Sequence, residues 1–393
     1  MITSDKEKPL VSCIVPMFNS ENTICACLES IVKIDYRPLE VIVVNDGSID
    51  KSVEVTQEFI EKNEGKGIDF TVLGDEINRG ISSAKNRGMK HMKGAYFLFA
   101  GSDDIQFPQR ISEPLAYLEE NPKVDVVYSD CEFWHEAKGD NNFCKRGFPH
   151  GMTNENSFLF QLKRSYLWSG VLFARRCAQL EFDEGLSSAV DYDWYFNQYF
   201  AGRLIHFIDS SLARYRLHKK NTSKNLRKST ENVLTILQKY DFPKAYDELC
   251  KTSNSDELQL SFAWYHFMLK QFDQALEKLS QVETENFEGN FLEAIIYASK
   301  SDFARSADQF RSICQINSDS PEALNNLAVC LVHSKNEIVE AKNLLLKATR
   351  INSNYLDAKN NLRLLSTNYS VSKKLALTVK PLRTRLTHID NYK

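Results

Sequence analysis

The chain has 393 residues, of which 42% are hydrophobic and 26% charged, and its formal net charge is −3 at pH 7. This length commonly forms two or three domains with apolar cores. The near-neutral charge gives no overall reason to bind nucleic acid. The nine cysteines are scattered and odd in number, which favours reduced thiols and a cytoplasmic protein. We see no run of 18 apolar residues and no apolar stretch typical of a signal peptide, so we expect neither a membrane span nor a secretion signal.

Short apolar runs alternate with amphipathic stretches along the first two hundred residues. Strands are predicted at 10–15, 39–44, 70–73, 96–100, 124–128 and 204–208, and helices at 23–34, 52–63, 81–92 and 109–120. Strands that alternate with helices of about ten residues indicate βαβ units and a mostly parallel sheet. Right-handed crossovers would bring the ends of these strands to one edge of the sheet.

Two adjacent carboxylates, Asp103 and Asp104, follow the predicted strand 96–100 directly after Gly101 and Ser102. Carboxylates beside a buried strand are costly unless they are solvated, paired or bound to a cation. At the carboxyl edge of an open α/β sheet they would lie where ligands commonly bind. The pattern therefore predicts a divalent-metal site for a nucleotide diphosphate, and a solvated turn is the alternative.

Several longer segments carry a family resemblance. They are VPMFN at 15–19, VIVVNDGSID at 41–50, NRGISSAKNRG at 78–88, GAYFLFAGSDD at 94–104, WSGVLFARR at 168–176, FDEGLSSAVDYDWY at 182–195 and RYRLHKKNTS at 214–223. In order and spacing, these segments resemble family 2 glycosyltransferases, the inverting enzymes with a GT-A fold, over roughly residues 9 to 225. The resemblance implies a Rossmann-like α/β domain that binds a nucleotide-sugar donor.

The resemblance also implies a nucleotide site. Asp46 would accept a hydrogen bond from the base, because an ionised carboxylate is an acceptor only and suits the N–H of a uracil-type ring. The alternative is that Asp46 and Gly47 only form a tight turn. Lys85 stands where the family often has arginine, and the alternative for it is a solvated helix face. The expected nucleotide-binding residues are Pro16, Phe18, Asn19, Asp46, Lys85, Ser102, Asp104 and Arg216.

Asp103 aligns with the last acid of the family's DxD motif, which implies that it binds the Mg²⁺ or Mn²⁺ bridging the two phosphates. Hard cations prefer carboxylate and phosphate oxygens. The first position of the motif is Gly101 rather than Asp, which puts the expected ribose contact in question. His218 is a second candidate metal ligand, with a surface group as its alternative. It follows Arg216 in a segment expected near the diphosphate.

Asp191 matches the family's catalytic base, although Val190 replaces the usual preceding glutamate. An inverting transfer needs one carboxylate to take the proton of the attacking hydroxyl. The alternative role for Asp191 is to stabilise the first turn of a helix, and Asp193 is the rival base. Trp168 is expected in the floor of the acceptor site or in the core.

The C-terminal third lacks strand patterns. The segments DFPKAYDEL at 241–249, QFDQALEKL at 271–279, DFARSADQF at 302–310 and EIVEAKNLL at 337–345 share one frame with a common alanine. They resemble tetratricopeptide repeats, helical hairpins that stack into a solenoid. We expect either a concave surface for a protein or peptide, or a helical cap that stabilises the enzyme or a dimer. The basic tail 371–393 would contact an anionic membrane or remain solvated.

We therefore predict a GT-A domain over 1–225, a tetratricopeptide-like solenoid over 226–370 and a basic tail over 371–393. The predicted function is metal-dependent, inverting transfer of a sugar from a UDP-linked donor to a hydroxyl of a glycan, lipid-linked sugar or protein. We expect a cytoplasmic location, with the tail at the inner face of the membrane. One alternative is a non-catalytic nucleotide-sugar-binding scaffold that interacts with other proteins. Another is a nucleotidyltransferase, which would release pyrophosphate.

Overall fold

A computed structural model describes residues 7–74, 76–135, 143–217, 226–251, 255–284, 286–367 and 375–380. The chain divides into two compact units, Met1–Tyr240 and Asp241–Lys393. The described residues of the first unit form an α/β domain, and the regular structure described in the second is helical. The predicted fold class, an α/β domain followed by an all-α region, is confirmed. No described helix combines the length and apolarity needed to cross a lipid bilayer.

The described part of the first unit contains one nine-stranded sheet. Its strands are β1 Val11–Met17, β2 Leu39–Asn45, β3 Ile68–Leu73, β4 Tyr96–Phe99, β5 Ile105–Gln106, β6 Val126–His135, β7 Phe143–Lys145, β8 Leu172–Arg175 and β9 Ile205–Leu217. They lie in the order β3-β2-β1-β4-β8-β6-β9-β5, with β7 beside β6. Strands β1, β2, β3, β4, β6 and β9 run in one direction and β5, β7 and β8 in the other, so the sheet is mixed but mostly parallel, as predicted.

Helices cover this sheet. They are α1 Ile24–Val32, α2 Ser52–Lys62, α3 Ile81–His91, α4 Ser112–Glu120, α5 Ser157–Lys163, α6 Val190–Phe200 and α7 Leu226–Lys239. Helix α1 buries Ile24, Cys27, Leu28 and Ile31, the apolar stripe that spacings of three and four residues predict. Helix α3 packs so close to β1 that a Cβ atom added at Gly88 would lie 2.3 Å from Cγ2 of Ile14.

The second unit is a run of eight helices within the described residues. They are α8 Phe242–Cys250, α9 Asp256–Met268, α10 Phe272–Leu279, α11 Phe287–Ser299, α12 Phe303–Ile316, α13 Pro321–Lys335, α14 Ile338–Ile351 and α15 Leu356–Thr367. Side chains that accept a backbone N–H three residues later mark the starts of several helices, as Asp302 and Ser320 do for α12 and α13. The common alanines of the repeated frame are all buried: Ala245, Ala275, Ala307 and Ala341. Small buried residues allow close helix packing, which is consistent with a solenoid.

Candidate functional site

The loops that follow β1 and β2 are joined at the carboxyl edge of the sheet. The side-chain oxygen of Asn19 accepts a hydrogen bond from the Ile49 N–H at 3.0 Å, and the Asn19 N–H donates to Ser48 Oγ at 3.0 Å. Phe18 beside them is 46% exposed. An exposed aromatic ring next to fixed backbone loops suits stacking against a planar ligand.

The Asp46 carboxylate connects a third loop, between β3 and α3, to the same edge of the sheet. This carboxylate is buried and accepts hydrogen bonds from the N–H groups of Arg79 at 2.9 Å and Gly80 at 2.8 Å. Gly47 has φ of +72°, and a Cβ atom there would lie 2.5 Å from the Asn78 nitrogen. The tight turn considered for Asp46 and Gly47 therefore exists, and Gly47 is required for it sterically. Each carboxylate oxygen can accept more than one hydrogen bond, so the expected contact with a base stays compatible with this geometry.

The segment after β4 carries the two adjacent carboxylates. Ser102 Oγ lies 2.8 Å from Ser20 Oγ, which joins this segment to the loop after β1. Asp104 is only 3% exposed, and its carboxylate accepts the backbone N–H of Arg216 at 3.1 Å. The Arg216 guanidinium donates to the Asp103 carbonyl at 2.8 Å and lies 4.2 Å from the centre of the Trp134 ring. Arg216 thus lies beside the acidic pair.

Burial is the main reason that the pKa of Asp104 lies well above its usual value, and the neighbouring charge of Asp103 adds to it. The hydrogen bond and charge of Arg216 oppose the rise. A Cβ atom added at Gly101 would lie 2.5 Å from an Asp104 oxygen and 3.0 Å from an Asp103 oxygen. The two carboxylates therefore converge over position 101, where a larger side chain would have to displace them.

This pair has the chemistry of a cation site, because two hard oxygens converge and one carboxylate is costly to ionise without a counter-charge. Among the described residues, no group of three or more His, Cys, Asp or Glu side chains could hold a metal ion. His218, the second predicted ligand, lies outside the described residues. Arg214 forms an ion pair with Glu132 at 2.8 Å.

Asp191 lies in the first turn of α6. Its Oδ1 accepts a hydrogen bond from the Lys85 amine at 2.9 Å, and the same amine donates to Ser169 Oγ at 2.7 Å. Lys85 is 3% exposed and lies 4.5 Å from the centre of the Phe182 ring. The alternative of a solvated helix face for Lys85 is therefore excluded. The Asp191 side chain remains 24% exposed, so the ion pair with buried Lys85 leaves part of this side chain accessible to solvent.

The carboxylate of the rival base, Asp193, is buried and enclosed by hydrogen-bond donors. Asp193 is 1% exposed, and its carboxylate accepts hydrogen bonds from the Lys239 amine at 2.9 and 3.0 Å. The Tyr240 hydroxyl donates to it at 2.9 Å. An enclosed carboxylate with these partners cannot reach a substrate hydroxyl without breaking them.

The candidate residues lie along one edge of the sheet. Asp46 and Asp103 follow parallel strands, and the loops after β1, β2 and β4 are joined by the hydrogen bonds described above. Ser169 begins the turn Ser169–Val171 that leads into β8, which runs antiparallel to β4. Ser169 therefore lies where β4 ends, and Lys85 connects it to Asp191.

Tyr128 lies on β6 in the middle of the sheet, and its sequence context carries no functional signal. Its hydroxyl is buried and has no hydrogen-bond partner among the described residues. Burial raises its pKa well above the usual value, and the charges of Asp191 and Tyr195 add to the rise. Tyr128 is thus a polar group near Asp191 that an apolar strand pattern could not reveal. The predicted acceptor-floor residue Trp168 is near Arg146, whose guanidinium lies 5.4 Å from the centre of its ring.

Comparison with known proteins gives a family match. Residues 12–180 match Glycosyl transferase family 2. Glycosyltransferase GlyA of Streptococcus pneumoniae is 30% identical over 238 residues, which is 57% of this chain and 32% of that protein. An uncharacterised glycosyltransferase of Rickettsia prowazekii is also 30% identical over 238 residues, which is 59% of this chain and 70% of that protein. The chain spans 42% and 44% of two other Rickettsia glycosyltransferases, so it covers less than half of several relatives.

Two solved structures resemble the chain at low sequence identity. Residues 1–349 of Staphylococcus aureus TarS are 18% identical with a TM-score of 0.47, covering 88% of this chain and 92% of that one. The mannosyltransferase PcManGT from Pyrobaculum calidifontis, in complex with GDP-Man and Mn²⁺, is 14% identical with a TM-score of 0.48, covering 93% and 86%.

Proposed function

The chain belongs to glycosyl transferase family 2, and from this premise we propose that it transfers a sugar from a nucleoside-diphosphate sugar to an acceptor hydroxyl with inversion. One observation carries the proposal: Asp191 is partly exposed, paired with buried Lys85, at the sheet edge where Asp46 and Asp103 follow their strands. A UDP-linked donor is the specific form that we propose. The acceptor hydroxyl belongs to a glycan, a lipid-linked sugar or a protein.

Asp191 would act as the general base. As the acceptor oxygen bonds to the anomeric carbon, its proton passes to the Asp191 carboxylate, and the bond from that carbon to the diphosphate oxygen breaks. Attack from the face opposite the leaving group inverts the configuration. Lys85 would orient Asp191 through the 2.9 Å hydrogen bond and keep its other oxygen free to turn toward the acceptor.

The donor would lie along the loops after β1, β2 and β4. Phe18 and Asn19 would flank the base and Asp46 would accept from its N–H, with Pro16 and Ser102 on neighbouring backbone. Arg216 would balance charge at the diphosphate end, because its guanidinium already lies beside Asp103 and Asp104. Lys85 would affect the donor indirectly through Asp191.

A divalent cation, Mn²⁺ or Mg²⁺, is part of the proposal. Asp103 would bind it with help from Asp104, and His218 remains a further candidate ligand. When bound, such an ion stabilises negative charge on the departing diphosphate. The convergence of the Asp103 and Asp104 carboxylates over Gly101 supports this assignment.

Tetratricopeptide-type repeats remain a proposal for the second unit, supported by the repeated frame and its buried alanines. A protein acceptor bound by this unit is one form of the function that we keep open. A cytoplasmic location, with the basic tail at the inner membrane face, is likewise proposed. Most of the predicted tail lies outside the described residues.

The decisive experiment combines donor binding with product analysis. A thermal-shift panel of nucleoside diphosphates with Mn²⁺ identifies the base, because a ligand stabilises the folded state that binds it. The matching sugar nucleotide is then tested for transfer or hydrolysis with wild type, Asp191→Asn and the exposed control Glu181→Gln. We expect Asp191→Asn to bind donor but lose turnover, while Glu181→Gln keeps both.

Other outcomes would favour the alternatives. Donor binding with no turnover by wild type across an acceptor panel would favour a non-catalytic scaffold, the alternative suggested by Gly101 and Val190. Release of pyrophosphate instead of a nucleoside diphosphate would identify a nucleotidyltransferase. Equal turnover by Asp191→Asn and wild type would remove Asp191 from the reaction.

A further inference from the structure

Residues 375–380, here called the tail segment, are bound through their main chain by a side-chain amide of α15. The Ala376 N–H donates to Asn361 Oδ1 at 2.8 Å, and Asn361 Nδ2 donates to the Ala376 carbonyl at 2.8 Å. One amide therefore satisfies both main-chain groups of a single residue. This contact does not depend on which side chain residue 376 carries.

The same arrangement recurs one repeat earlier. The Thr378 N–H donates to Asn326 Oδ1 at 2.8 Å, and Asn326 Nδ2 donates to the Thr378 carbonyl at 2.8 Å. Asn326 and Asn361 hold equivalent positions in the sequences ALNNL at 323–327 and AKNNL at 358–362. Successive repeats thus bind residues i and i+2 of an extended chain, whose spacing of about 6.8 Å is set by extended backbone geometry.

Asn325 joins the two amides into one network. Its Nδ2 donates to the Ala376 carbonyl at 3.2 Å and to Asn326 Oδ1 at 3.1 Å, and its Oδ1 accepts from Asn361 at 2.9 Å. All three amides are fully buried. Buried amides are costly without partners, so this surface needs a peptide main chain, or water in its place.

The side chains of the tail segment indicate which residue types the groove accommodates at each position. Leu375 packs against the cluster formed by α13–α15 and Leu377 against the cluster formed by α9–α13, while Ala376 and Val379 point outward. Thr378 donates to Asp357 Oδ2 at 2.7 Å. The Lys380 amine lies 5.3 Å from the centre of the Trp264 ring. The groove therefore accommodates a segment with the sequence pattern apolar-x-apolar-Thr-x-Lys.

We propose that this groove is a binding site for an extended segment of a partner protein with that pattern, and that the tail segment is an exchangeable occupant in cis. The main-chain contacts of the tail segment can be supplied equally by another extended peptide. Two of its six side chains are exposed and contribute little to holding it. A partner would compete with a segment tethered nearby, whose effective concentration is on the order of millimolar. The proposal does not depend on glycosyl transfer.

The first test uses the labelled, acetylated and amidated peptide LALTVK as the probe. A chain ending at residue 370 should bind it, and the full chain should bind it at least about tenfold more weakly because the tail segment competes. In the shortened chain, Asn326→Ala or Asn361→Ala should weaken binding about tenfold, since each removes two hydrogen bonds. Asn360→Ala, an exposed neighbour on α15, is the matched control and should change nothing.

A second measurement keeps the proposal testable if the shortened chain fails to fold. In the full chain, hydrogen exchange at the Ala376 and Thr378 amides should be slowed, yet be faster than in the core of α13. Asn361→Ala should accelerate exchange at Ala376 and Asn326→Ala at Thr378, whereas Asn360→Ala should accelerate neither.

Three results would overturn the proposal. Exchange at Ala376 and Thr378 as slow as in the α13 core would make the tail segment a permanent part of the fold. A folded shortened chain that does not bind the probe would remove the site. A dimer of full chains that exchanges tail segments would replace the partner protein with a second copy as the occupant.

Discussion

The amine of Lys85 and the carboxylate of Asp191 form a 2.9 Å ion pair between residues that are 106 positions apart in the sequence. The lysine side chain is 4% exposed and the aspartate side chain 24%. A buried ammonium needs a counter-charge, so the fold of α3 against the start of α6 orients the carboxylate. This relationship connects a helix expected to contact the nucleotide with the proposed base, and we therefore propose that Lys85 positions Asp191.

Lys85→Met should separate positioning from donor binding. We expect kcat to fall by about tenfold or more, because Asp191 loses its orienting partner, while donor affinity changes by less than about threefold. Steady-state kinetics and a donor titration measure the two effects. Lys90→Met on the same helix is the control, because its 62% exposed side chain forms a surface ion pair with Glu181. Equal losses in kcat and donor affinity would instead make Lys85 a donor contact.

Replacing Gly101 by Asp, which restores the first acid of the DxD motif, should destabilise the folded state. Gly101→Asp introduces a Cβ atom 2.5 Å from an Asp104 oxygen and a third carboxylate beside Asp103. We expect a loss of about 2 kcal/mol in the free energy of unfolding, partly recovered with Mn²⁺. Gly101→Ala, measured by the same urea titration, isolates the steric part. A Gly101→Asp chain as stable as wild type without metal would show that the carboxylates move apart freely.

Metal removal should abolish activity, and metal addition should stabilise the fold. We expect Mn²⁺ to raise the Tm of wild type and a chelator to reverse this, because the ion binds only the folded site. Asp103→Asn should lose most of the rise, whereas Asp69→Asn, an exposed carboxylate on β3, should keep it. Full turnover in excess EDTA would contradict the metal assignment.

The Asp183 carboxylate should make the free energy of unfolding depend on pH. The hydrogen bond from Lys239, at 2.9 Å, is the largest cause that lowers the pKa of Asp183. A carboxyl with a lowered pKa in the folded state stabilises that state above its unfolded pKa, about 3.9. The stabilisation is lost as the pH falls through the lower folded value. Because both side chains are more than a third exposed, we expect less than about 1 kcal/mol.

The measurement is the difference in unfolding free energy between wild type and Asp183→Asn. It should be constant between about pH 5 and 8 and shrink toward zero below about pH 4. Asp247→Asn, a carboxylate of α8 outside this pair, serves as the reference. A difference that instead grows as the pH falls would mean that Asp183 is penalised, rather than stabilised, in the folded state.

The elements that position the site were predictable because their signals are local. Short apolar runs in the sequence predicted β1, β2 and β4, and apolar spacings of three and four residues predicted α1. The motifs around Asp46, Asp103 and Asp191 therefore fell at strand ends and at a helix start, as the structure has them. The order of strands and helices then assigned Asp46 and Asp103 to the carboxyl edge of the sheet, whereas Asp191 was singled out by the family resemblance.

Pairings between distant side chains depended on the tertiary structure. The sequence could not tell that Asp193 would be enclosed by Lys239 and Tyr240 while Asp191 met Lys85, because neighbouring positions on one helix face different surroundings only after packing. The approach of an Asp104 oxygen to within 2.5 Å of a Cβ atom added at Gly101 likewise depends on the tertiary structure. Sequence alone determined the strands and helices with strong local patterns, because backbone propensity and periodicity act over a few residues, whereas β5, β7 and β8 were not among the predicted strands. Packing decided which charges meet, because contacts across long stretches of chain form only when the whole core closes.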